Sequence, residues 1–168
     1  MDAYLAVVSK REVRRYADRA LPSETVRRIL EAGRVAGSSQ NRQARRFVVL
    51  DRVQDGAAEC VFTPTNVSRA ALAVAIVIGG RGPVGLDAGR AAQNMMLAAW
   101  NDGVGSCPNG ISDADALARL LGLEEPERVA NIISFGYPAR ELDPARRSPE
   151  DWIEAADRKP FDEIVTYA

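Results

Sequence analysis

From Leu86 to Trp100 the chain spells a helix that is apolar almost all the way round, with Ala91, Ala92, Met95, Met96, Leu97 and Ala99 in its length. Such a helix has little face to offer to water and is predicted to sit centrally, with other elements packed around it. A strand rich in β-branched residues is predicted just before it, over Leu72 to Ile78. Gly79-Gly80-Arg81-Gly82-Pro83 is the turn between the two. A buried strand is expected over Phe47 to Leu50, and a third over Val129 to Phe135, ended by Gly136-Tyr137-Pro138. Asp2 to Lys10 reads as a short helix. Pro22-Ser23-Glu24 reads as a helix start in which Ser23 caps and Glu24 suits the positive end. Val26, Ile29, Leu30 and Gly33 follow it at i, i+3, i+4 and i+7, with arginines on the other face. Ser112 is expected to cap a helix through Leu121, and Pro149 to Ala156 to form a short amphipathic one. Gly103 to Gly110 reads as a glycine-rich loop, Ala139 to Pro149 as a polar loop, and Phe161 to Tyr167 as a terminal strand or extended arm. No repeat or linker divides the 168 residues, so one domain spanning 1–168 is expected.

Several classes of function fall away on composition. Lys and Arg total 22 against 23 Asp and Glu, and that balance lacks the basic excess of a nucleic-acid binder. The most apolar run, Ala70 to Ile78, is too short for a membrane span, and no signal peptide is visible at the N-terminus. Two cysteines, Cys60 and Cys107, make no disulfide framework, and reduced thiols in a cytoplasmic protein are the simplest reading. Cys107 has no resolving cysteine beside it and reads as a packed thiol. The chain contains no histidine. Histidine bases, His-based triads and histidine metal sites are therefore excluded, and no metal site is expected. Chemistry must come from other groups or from a bound cofactor.

Four short clusters could bind one. Lys10-Arg11-Glu12-Val13-Arg14-Arg15 sets four cations just past a helix, an anion clamp in which the arginine forks suit a phosphate or the polar edge of a ring. Charge runs are more often plain surface. Ser38-Ser39-Gln40-Asn41-Arg42-Gln43 offers short donors and acceptors for ring heteroatoms, or is an ordinary helix end. Gly103 to Gly110 could bring backbone amides against a flat ligand, or be a connector. It is no phosphate loop, because no Gly-Lys-Ser/Thr follows, and no dinucleotide fingerprint is present. Arg158-Lys159-Pro160 precedes the apolar tail as a further cationic pair. Asn66-Val67-Ser68 matches a glycosylation acceptor, which without a secretory signal carries no meaning.

In series, these pieces resemble the FMN-dependent nitroreductase family. The opening Lys10-Arg11-Glu12-Val13-Arg14 stands where that family has an Arg-Arg-Ser-x-Arg-like motif. Ala36-Gly37-Ser38-Ser39-Gln40-Asn41-Arg42-Gln43-Ala44-Arg45-Arg46-Phe47 stands for Ala-Pro-Ser-Ser-x-Asn-x-Gln-Pro-Trp-x-Phe. The central helix from Asp87 to Ala99, Gly103-Val104-Gly105-Ser106-Cys107, Phe135-Gly136-Tyr137-Pro138 and the ending Arg158 to Val165 follow in the family's order.

The resemblance implies an α+β fold: three layers, α/β/α, with a mixed, mostly antiparallel sheet flanked by helices, in an intertwined homodimer with swapped terminal arms. It implies FMN as cofactor, NAD(P)H as co-substrate, and a small-molecule acceptor such as a nitroaromatic or quinone, reduced by ping-pong turnover in one shared pocket. Arg11, Arg158 and Lys159 would hold the FMN phosphate and ribityl chain. Lys10, Glu12 by its backbone, and Arg14 would lie along the ribityl and the N1/O2 edge, where a cation favours the reduced anionic flavin. Ser38, Ser39 and Asn41, with Gln43 nearby, would come from the partner subunit. Pro108, Asn109 and Gly110 would cover the flavin with backbone N–H towards N5 or O4. No side chain is assigned as catalytic, because the hydride chemistry lies on flavin N5.

Three departures stand out. Ala44-Arg45 replaces Pro-Trp, which removes an aromatic packing element. Glu12 replaces a serine, and its carboxylate suits a phosphate site only if it turns to Arg14 or Arg15. The stretch from Asp51 to Ala70 is short where many relatives carry extra helices, implying an open pocket or one built by the partner chain. Other readings of the same residues are a flavin enzyme with oxidase, dehydrogenase or deazaflavin chemistry, a non-catalytic flavin-binding or storage protein, and an α+β interaction module without cofactor.

Overall fold

The structure is a computed structural model that describes residues 1–168. At its centre lies β2 (Leu72–Ile78), the predicted strand residue for residue, buried along its whole length. It pairs antiparallel with β1 (Arg45–Val49) on one side and with β4 (Arg128–Gly136) on the other. β3 (Gly105–Asn109) pairs antiparallel with β4, giving the order β1-β2-β4-β3. The parallel component of the expected mixed sheet is confined to one isolated bridge, Glu12 with Ser106.

Side chains of β2 alternate between two cores, as the pleat requires. Leu72, Val74, Ile76 and Ile78 join Ile133 and Phe135 on one face. That face is covered by the central helix α5 (Val84–Asn101) and by α2 (Ser23–Arg34). Ala73 and Ala75 join Ile132 on the other face. It is covered by three short helices, α3 (Gln54–Ala58), α4 (Pro64–Ser68) and α6 (Ala114–Leu121). Large residues fill the space beneath long α5, and alanines let the short helices approach closely. The result is the expected α/β/α layering. α1 (Ala3–Ser9) packs against α7 (Pro149–Glu154) and α5, and α8 (Phe161–Ile164) lies near the C-terminus.

Several local expectations change. Pro22 takes the N-cap position of α2 and Ser23 is its first helical residue, without a side-chain cap. Asp113, not Ser112, caps α6 by accepting the Ala116 N–H at 2.8 Å. The strand expected over Phe47–Leu50 begins earlier and ends at Val49; it is an edge strand, half-buried, with Leu50 just beyond it in the core. The glycine-rich segment is not a connector: Gly105–Asn109 is β3. Pro108 fits there because an edge strand tolerates a missing N–H. The tail carries a short helix at Phe161–Ile164 instead of a strand. The short 51–70 stretch, read without elements, holds α3 and α4.

Candidate functional site

After α1 the chain hooks along the outer edge of β3. Val13 N–H donates to Ser106 O at 2.9 Å, and Tyr16 bridges to Pro138. Two glycines make room for this approach. A Cβ on Gly105 would lie 2.6 Å from the Val13 side chain, and one on Gly136 would lie 2.8 Å from the Tyr16 ring. The Tyr16 hydroxyl reaches inward to Ser134 Oγ at 2.9 Å, and its burial raises its pKa. The hook thus presents Lys10, Arg11, Arg14 and Arg15 in fixed order beside β3.

These cations do different jobs. Lys10, its side chain only 7% exposed, pairs with Glu12 at 2.6 Å. Glu12 therefore turns to Lys10 and not to Arg14 or Arg15 as expected, neutralising one cation of the clamp. Arg11 donates through Nη1 to Val8 O and Lys10 O, and through Nη2 to Trp152 O at 2.6 Å. It closes the carbonyl end of α1 while keeping its remaining N–H donors for a ligand. Burial lowers the Arg11 pKa, and so do the nearby charges of Arg158 and Arg147. Arg11, Arg147 and Arg158 form no ion pair with any carboxylate of the chain. Three neighbouring guanidiniums, none of them ion-paired, fit a ligand phosphate. Of the expected phosphate pair, Arg158 joins Arg11; Lys159 is exposed and makes no recorded contact with them.

A cleft of about 490 Å³ opens beside the hook, lined by Arg14, Arg15, Tyr16, Thr65, Asn66 and Arg69, with Ala139. No acid lines it. Asn66 is buried, its amide 4.0 Å from Cys107 Sγ. Cys107 is a packed thiol, as expected, and burial raises its pKa. Pro108 is exposed on β3, but Asn109 is turned into the protein. The Asn109 amide donates to Cys107 O, Ile132 O and Ser134 Oγ, and its backbone N–H goes to Asn131 Oδ1. Proline has no N–H, so Gly110 is the one residue of this trio with an amide to offer.

The Ser38–Gln43 loop lies elsewhere in the chain. Ser39 N–H donates to both oxygens of Asp87, at 3.2 and 3.1 Å, in the first turn of α5. Lys10, by contrast, touches Met96 Sδ on the same helix. Nine residues of helix separate the two anchors by about 14 Å along the axis. Ser38 Oγ accepts the Gln43 N–H at 3.0 Å, and the Gln43 side chain reaches Asn41 O. Gln40, Asn41 and Gln43 hold positive φ values of 52, 54 and 53°, a conformation costly for side-chain-bearing residues. Arg45 folds back to the Gly33 and Ala36 carbonyls at the end of α2. The arginine that replaces the family's tryptophan is thus a helix cap.

Four site residues escaped the sequence reading. Arg147 and Trp152 lie in and just after a polar stretch read as loop and helix, with no motif to mark them. Asn66 and Arg69 are three apart, at one face of α4 and just past its end, a spacing invisible while that helix is unrecognised.

A family model described as the nitroreductase family matches residues 7–77 and 84–137, omitting only the turn between β2 and α5 within that span. The chain belongs to the nitroreductase family. It is therefore an oxidoreductase. A protein of Archaeoglobus fulgidus with the provisional name NADH dehydrogenase/NAD(P)H nitroreductase is 31% identical over 164 residues, covering 90% of each chain. A provisionally named nitroreductase of Desulfovibrio desulfuricans, crystallised in complex with FMN, is 28% identical with a TM-score of 0.80, covering 100% of this chain and 98% of that one. A nitroreductase family protein of Clostridium difficile shares the fold at a TM-score of 0.83 and 23% identity, covering 99% and 98%. No helix of this family member is long and apolar enough to cross a membrane.

Proposed function

We propose that this chain is an FMN-dependent NAD(P)H oxidoreductase that works as a cytoplasmic homodimer and reduces nitroaromatics, quinones or related small acceptors. The observation that carries the reading is the group of guanidiniums around Arg11, none of them ion-paired with a carboxylate. A monophosphate at that end and a flat, carbonyl-bearing ring in the acid-free cleft match the two ends of FMN.

Arg11, Arg158 and Lys159 hold the phosphate in this reading. Lys10 and the Glu12 backbone lie along the ribityl chain. Arg14, Asn66 and Arg69, which share one cleft, face the oxygen-bearing edge of the ring. The cation at that edge favours added electron density. Gly110 supplies an amide from the end of β3. Ser38, Ser39, Asn41 and Gln43 reach the ring from a second copy in this reading; in one chain their anchor at Asp87 lies about 14 Å along α5 from the Lys10 contact at Met96. When bound, FMN would supply the redox chemistry between NAD(P)H and the acceptor, in ping-pong turnover in one pocket. The chain has no histidine, and the Tyr16 hydroxyl is engaged by Ser134; in this reading protons come from water or substrate. Two free, buried cysteines suit a reducing compartment.

Arg11→Ala tests the reading. Hydrogen bonds to a charged group contribute about 1.5–3 kcal/mol, so FMN affinity should fall by roughly ten- to a hundredfold. Fluorescence titration of the folded variant measures it. Unchanged affinity would remove the phosphate site from Arg11.

A further inference from the structure

We propose that Arg147 is a further ligand of the cofactor phosphate and that Trp152 is the post that sets Arg147 and Arg11 in place for it. The inference rests on the flavin reading and goes beyond it by naming what makes the site choose a phosphorylated flavin. Both guanidiniums lie over the Trp152 ring, Arg11 at 5.0 Å and Arg147 at 5.1 Å from its centroid. The ring itself is pinned. Its Nε1–H donates to Pro144 O at 2.9 Å, and the Trp152 carbonyl accepts from Arg11. Helix α7, which carries it, starts with a full capping box between Ser148 and Asp151 and packs on α1.

Arg147 directly precedes that cap, and its neighbour shows the contrast. Arg146 pairs with Asp143 at 3.5 Å, whereas Arg147 has no ion pair. Asp151 and Glu154 share a surface cleft with Arg147, but neither lies within ion-pair distance, and the Asp151 carboxylate takes the Ser148 N–H. Arg11 stands near enough to Arg147 and Arg158 for their charges to act on it, and an aromatic face offsets only part of that repulsion. A dianion bound by these guanidiniums relieves it. A neutral ribityl hydroxyl does not.

The test compares FMN with riboflavin, which lacks the phosphate. Wild-type protein is expected to bind FMN far more tightly, with affinity falling as salt rises. Arg147→Gln should weaken FMN by about tenfold and flatten the salt dependence, leaving riboflavin affinity unchanged. Trp152→Leu should do the same, and Trp152→Phe, which keeps a ring, should recover most of the loss. Circular dichroism confirms that each variant is folded. Equal loss for both flavins, or no loss for FMN, would overturn the role of Arg147 while leaving the flavin reading intact. Wild-type protein that takes up neither flavin would overturn both.

Discussion

Cys107, Cys60 and the Tyr16 hydroxyl share a property with a measurable consequence, since burial raises the pKa of all three. Each is protonated in the fold at a pH where the unfolded chain begins to lose its proton. Their stabilising effect is complete below the unfolded pKa, about 8.5 for a thiol and about 10 for tyrosine, and is lost as pH rises above it. Urea midpoints should therefore hold steady to about pH 8 and then fall, and Cys107→Ala should make the fall shallower. A midpoint that rises through the same range would contradict the burial of these groups. At this scale the packed thiol of Cys107 was legible from residue type alone; the arginine-rich hook was legible as a charge run, which on its own reads more often as plain surface. The partners were not legible. That Glu12 turns to Lys10, and that Arg45 caps α2, depends on contacts from elsewhere in the fold.

The loop after α2 owes its shape to a single buried acid. Asp87 is 6% exposed and accepts the Ser39 amide with both oxygens, beside three residues in left-handed conformations. Such strain persists only where surrounding contacts over-determine it. Asp87→Ala should cost about 1–3 kcal/mol of stability and expose the Ser39 amide to rapid hydrogen exchange, whereas Asp87→Asn keeps an acceptor and most of the protection. Unaltered exchange in the alanine variant would show that the loop is held by something else. Among the elements, β2 and α5 announce themselves because apolar composition and length leave no other state for them. β3 is hidden by glycine, proline and asparagine, residues that read as turn until the neighbouring hook and β4 show that they are an edge. α3, α4 and α8 have too few residues for a helical period to repeat.

In the whole molecule the two clusters of expected site residues are anchored nine residues apart on α5, Ser39 at Asp87 and Lys10 at Met96, and the proposed function joins them across a dimer. The tail leaves Phe161, Ile164 and Tyr167 63–87% exposed, apolar surface consistent with a partner's body lying against it. The order of six short motifs along the chain was enough to read the layered fold, because their spacing reflects one topology. The second copy that the proposed function calls for is a property no single chain displays. The most direct measurement is the absorption spectrum of the purified protein, with the released cofactor identified, its ratio to chain determined, and NAD(P)H then added without oxygen. The account predicts one FMN per chain in a dimer, bleached by the reductant. A colourless protein that refuses added FMN would contradict it and leave only the fold.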